Sequence, residues 1–178
     1  MREGKRSRLD FRKWFTGAIM VALVMALLLL PGVSHALKDE QEALIGLNGV
    51  YVLIEHLNSQ AESLGLTTDQ IKTDVELRLR KAGIRVLTKE ESLATPGSPY
   101  LYVYVGTYIK EKNPIIAFSN SVELKESVTL ANGFKTTGSI WSAASIGLFT
   151  KENIKQIRGS VGERVDEFIN DFLAANPK

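Results

Sequence analysis

Hydrophobic positions follow three patterns along the chain: continuous from Gly17 to Leu30, alternating or in short runs from Val50 to Phe149, and every three or four residues from Ile154 to Leu173. The middle and last patterns define the fold. Asp39 to Leu47 reads as a short helix. Val50, Val52 and Ile54 then interleave with Tyr51, Leu53 and Glu55 as a first strand, and apolar residues at both parities predict a central position. A long helix follows, with Thr67 as its cap, Gln70 placed to complete a capping box and Leu66 to staple against Ile71. Ile71, Val75, Leu79 and Ala82 form its apolar face. Asp74 with Arg78, and Glu76 with Arg80, are acid-before-base pairs four apart. Gly83 supplies a left-handed stop that Ile84 closes. The strand Ile84 to Thr88 follows so directly that strand, helix and strand predict a right-handed crossover between parallel neighbours.

From Tyr100 to Ile109, Leu101, Val103 and Val105 take one face while Tyr100, Tyr102 and Tyr104 take the other. Beyond Asn113-Pro114, the apolar residues Ile116, Phe118, Val122, Leu124, Val128 and Leu130 are all even-numbered. A strand that long predicts a bend or bulge, which the pattern places near Asn120. Asn132-Gly133 is a hairpin turn, and Thr136 to Phe149 returns as a strand of small residues. The closing helix, Lys151 to Ala175, carries Ile154, Ile157, Val161, Val165, Phe168, Phe172 and Leu173 as its apolar stripe. The sum is an α+β two-layer sandwich, β-α-β-β-β-β-α, with two long helices on one face of a mixed sheet.

The continuous run changes the reading of the N-terminus. Arg2, Lys5, Arg6, Arg8, Arg12 and Lys13 precede it, Pro31-Gly32 breaks it, and Ser34-His35-Ala36 has small residues where a signal peptidase reads. Residues 1–36 therefore predict a cleaved signal peptide and residues 37–178 a single α+β domain. Export to the periplasm or the exterior follows. The alternative is an inner-membrane anchor left uncleaved, for which the 14 residues of Gly17 to Leu30 are short of the roughly 20 that span a bilayer. Membrane contact is expected only through that segment. With no cysteine there is neither a lipobox nor a disulfide to support the mature fold.

Charge is reread once that segment is set aside. It holds six of the 22 Lys/Arg and two of the 20 Asp/Glu, leaving 16 against 18 and a net charge of −2. Such a domain is a poor polyanion binder, which argues against nucleic acid.

Candidate chemistry is sparse. On the face left bare by the helices, Tyr100, Tyr102 and Tyr104, joined by Trp141, are the expected partner-binding residues, since aromatic rows on a sheet hold protein, lipid or glycan partners. His56 is the only histidine of the mature chain, so no multi-histidine metal site is expected, and no cofactor. Ala143-Ala144-Ser145-Ile146-Gly147 resembles a degenerate nucleophile elbow, but no histidine follows Ser145. Gly133-Phe134-Lys135-Thr136-Thr137 lacks the spaced glycines of a phosphate loop. Glu90 and Glu91 are adjacent and read as solvated rather than as an acid-base pair.

The stretches Ile71 to Ile84 and Val165 to Lys178 resemble a family of exported bacterial proteins without an assigned activity. In architecture alone, a sheet backed by two helices behind a signal is similar to the N-terminal domain of the Tol-system translocation protein and to the lipoprotein that plugs the lipopolysaccharide translocon. No motif is shared, and the missing lipobox departs from the second. The resemblance implies an envelope binding or assembly role. Two functions stay open: a non-enzymatic envelope module using the open sheet face, and a small serine hydrolase built around Ser145.

Overall fold

The computed structural model describes residues 39–110 and 112–177. The stretch read as a signal, residues 1–36, lies outside them. Helix α1 (Asp39–Glu42) leads to strand β1 (Val50–Ile54), followed by helix α2 (Ser59–Ser63) and the long helix α3 (Thr68–Lys81). Strand β2 (Val86–Leu87) and helix α4 (Lys89–Ala94) precede the meander β3 (Tyr100–Ile109), β4 (Ile115–Thr129) and β5 (Lys135–Thr150). A 3-10 turn, Lys151–Gln156, opens into helix α5 (Ile157–Ala175). The sheet order is β2-β1-β3-β4-β5; β1 runs parallel to both neighbours, and β3, β4 and β5 are antiparallel. The α+β sandwich with a mixed sheet is as the hydrophobic pattern predicts.

One face of the sheet builds the core. Val50 and Val52 of β1, Leu101 and Val103 of β3, and Ile116, Val122 and Leu124 of β4 meet Ile71, Val75 and Leu79 of α3 and Val161, Val165 and Phe168 of α5. Helix α3 is capped by Thr67, whose side chain accepts from the Gln70 amide at 3.3 Å. The capping box is not completed there, because Gln70 Oε1 is buried without a partner. It is completed at α4 instead, where Thr88 accepts from the Glu91 amide and Glu91 accepts from the Thr88 amide. Glu91 is thus a helix cap, also paired to Arg85 at 2.5 Å, rather than a freely solvated carboxylate. These contacts hold its carboxyl below the usual range, the Thr88 amide foremost. Gly83 takes φ 79° and ends α3 as expected.

Helices α3 and α5 are clamped by ion pairs that the four-residue spacing does not predict. Glu76 and Arg80 do pair along α3, at 2.8 Å. Asp74, however, takes both nitrogens of the Arg158 fork at 2.7 and 2.8 Å, and Arg78 reaches Asp166 at 2.6 Å. A helix-spanning bidentate pair holds Asp74 better than a single contact on its own helix. Gly162 of α5 makes room for this crossing, since a Cβ there would stand 2.6 Å from the Arg78 guanidinium.

The bulge lies at Leu124/Lys125, not near Asn120. Lys125 faces Ser139 and Leu124 faces Trp141, so Ile140 is the extra residue on β5. A bulge exchanges the faces of every residue beyond it. Asn120 instead lies flat in the sheet, buried beneath α5. Leu37–Lys178 forms one compact unit. No helix among the described residues is long and apolar enough to cross a membrane.

Candidate functional site

The open face is formed by the other parity of the same strands, and it divides into two ends. At one end Tyr102 of β3 stands between Leu53 of β1 and Glu123 of β4. Its hydroxyl donates to Glu55, and Lys125 Nζ sits 4.2 Å above its ring while also reaching Glu123 at 3.4 Å. The Glu55 carboxylate, first through the hydrogen bond, pushes the Tyr102 phenol up to about 12. Tyr100 and Tyr102 are half-buried in this charged cluster. Lys72 covers the Tyr51 ring at 5.7 Å. Tyr102, Glu55, Glu123 and Lys125 thus already have partners on their own chain, so a ligand there would displace contacts already made.

The other end is uncovered. Cross-strand rows place Tyr108, Ala117 and Leu148 side by side, then Gly106, Ser119 and Ile146, then Tyr104, Ser121 and Ala144. Small residues on β4 form a low floor between a ridge of tyrosines and a ridge of aliphatic side chains. The result is a cleft of about 520 Å³. Its walls are Tyr104, Tyr108, Ile146 and Leu148, exposed by 41%, 71%, 85% and 67%. Glycine shapes its tyrosine wall. A Cβ at Gly106 would lie 2.5 Å from the Tyr104 hydroxyl, so glycine lets that ring recline along the strand. On the helix side beneath the same strand pair, a Cβ at Gly147 would lie 2.6 Å from the Phe118 ring, which stacks on Phe149 at 5.0 Å.

Of the expected aromatic row, then, only Tyr104 reaches the cleft. Trp141 is not on this face at all: it is buried on the helix side, edge-on to Phe168 at 5.2 Å, with its indole N–H donating to Asp171 at 2.9 Å. The bulge is the reason. Counted back from the Asn132-Gly133 turn without it, Trp141 would face Glu123 on the open side; one extra residue sets it opposite Leu124. The same shift brings Ile146 and Leu148 to the open face, and both were missed. Tyr108 follows from the parity of Tyr100, Tyr102 and Tyr104.

Ser145 lies on the helix side. Its hydroxyl is 3.1 Å from Asn120 Oδ1 and 3.0 Å from the Ser160 hydroxyl, and the Asn120 amide donates to Ser160 at 3.0 Å. This closed triad lets buried Asn120 satisfy its amide under α5. His56 is exposed in the loop after β1, on a different part of the chain. A second cleft, of about 710 Å³, runs between α3 and α5, but the Asp74–Arg158 and Arg78–Asp166 pairs line it. No group of three or more residues suited to hold a metal occurs among the described residues. No family model matches the chain, and no curated protein is found similar to it.

Proposed function

We propose that this chain is an exported cell-envelope protein that acts without catalysis, holding an apolar segment of a protein partner in the cleft of its open sheet face. The observation that carries this reading is the cleft itself: two ridges of exposed aromatic and aliphatic side chains flanking a floor of small residues. Contiguous apolar surface of that kind marks interaction sites on soluble domains. Tyrosines suit such a wall, since the ring offers apolar area while the hydroxyl stays wet. The order of basic, apolar and small residues through Ala36 supports export.

The hydrolase reading has less to rest on. Ser145 bonds to an amide and a second hydroxyl, neither of which can take its proton as a general base.

The test is crosslinking and affinity capture of the tagged full chain from its native envelope, beside Tyr104→Ser/Tyr108→Ser. Loss of one defined partner in the variant, with its thermal midpoint unchanged, is expected. Retention of that partner, or no partner with either chain, would overturn the reading.

A further inference from the structure

The two edges of the sheet are guarded very differently. The β2 edge is two residues long, flanked by Arg85 and Lys89 and followed at once by α4. Short strands, charge and a covering helix are the usual protections of an edge. The β5 edge is 16 residues long, and from Thr136 to Thr150 it contains no charged residue and no proline. A bulge at Ile140 interrupts it and α1 approaches it, while the stretch beyond the bulge, Ser142 to Thr150, runs in unbroken register with β4. Among the described residues, no backbone group from Ser142 to Phe149 bonds to anything outside the sheet.

We propose that this stretch pairs antiparallel with the same stretch of a second copy, joining two sheets into one of ten strands about a two-fold axis at Ile146. The composition of the strand selects that occupant. With Ile146 opposite Ile146 of the second copy, Ala144 falls opposite Leu148 and Ser142 opposite Thr150 on the open face. On the helix face Ala143 meets Phe149 and Ser145 meets Gly147. Each large side chain thus meets a small one or its own kind, and no like charges are brought together. A strand from another protein would need that sequence of sizes; a second copy has it by symmetry, as isologous contacts require. The nine residues from Ser142 to Thr150 offer about 30 Å of ladder. The axis stands perpendicular to the sheet, so both clefts open on the same side. The dimer does not depend on what the cleft binds.

Because the chain has no cysteine, one substitution gives a direct test. Residues facing each other across the axis have Cβ atoms about 5 Å apart, near disulfide range. Ile146→Cys in the full chain, treated with mild oxidant where it is expressed, is expected to form a covalent dimer at least tenfold faster than Leu53→Cys, which is exposed on the same face three strands further in. Equal rates, or no dimer from Ile146→Cys, would overturn the proposal. Independently, Ile146→Lys sets two ammonium groups opposite each other and is expected to shift the full chain from dimer to monomer in size measurements, with an unchanged circular dichroism spectrum. A wild-type chain that is already monomeric would overturn it as well.

Discussion

Alternate residues of the same three strands make two faces with opposite economies. On the helix side, Trp141, Phe118 and Leu124 are covered, and the polar atoms among them are matched: the indole to Asp171, Asn120 to Ser145 and Ser160. On the open side, Ile146 and Leu148 project into solvent, and charge is satisfied only at the end where Tyr102 meets Glu55 and Lys125. Burial on the first face supplies the stability that allows the second to stay uncovered. Substitutions on the two faces should therefore separate folding from binding.

The largest effect belongs to the covered face. Trp141→Ala is expected to cost about 3–5 kcal/mol, read from urea unfolding, because it empties the space against Phe168 and leaves Asp171 without its indole donor. A cost below about 1 kcal/mol would mean the helix layer is not what holds β5. Gly147→Val comes next, at about 1–3 kcal/mol, since its Cβ meets the Phe118 ring; unfolding midpoints that match the wild type would show that Phe118 can move aside.

Tyr102→Phe tests the charged end of the open face. The lost hydrogen bond to Glu55 should cost about 1 kcal/mol or less at this partly exposed position. Its pH dependence is more specific. The folded phenol titrates at about 12 rather than at the ordinary 10.0. The stabilisation is therefore complete below pH 10.0 and is lost as pH rises through about 12. Ultraviolet titration of tyrosinate should show a late phenol in the wild type that is absent in Tyr102→Phe and titrates earlier in Glu55→Gln. The smallest effect on folding is expected at the cleft. Ile146→Ser and Leu148→Ser should each change the unfolding free energy of the monomer by within about 0.5 kcal/mol, while weakening binding of an apolar fluorescent probe. Probe binding equal to the wild type would remove the cleft from consideration.

Much of this architecture could be read directly from residue order. Local signals carried it: the Thr67 cap, the Gly83 stop, the Asn132-Gly133 turn, and the period-two alternation of β3 and β4 all act within a few residues of themselves. The site was only partly legible. Tyr104 was placed on the open face by parity, and Tyr108 follows from the same count. Ile146, Leu148 and the true position of Trp141 depended on a bulge, whose place is set by how β4 and β5 pair over their whole length.

By itself, then, the sequence determined which segments become helix or strand, which parity of β3 and β4 faces the core, and that no disulfide forms within the chain, for want of cysteine. Tertiary structure alone decided three things. It chose interhelical partners for Asp74 and Arg78 over the nearer pairing of one with the other, because a packed neighbour offered better geometry. It made a buried triad of Asn120, Ser145 and Ser160, residues brought together only by the β4–β5 ladder and the return of α5. It set the bulge at Ile140, and since side chains alternate with a period of two, that single inserted residue turned Trp141 inward and Ile146 and Leu148 outward.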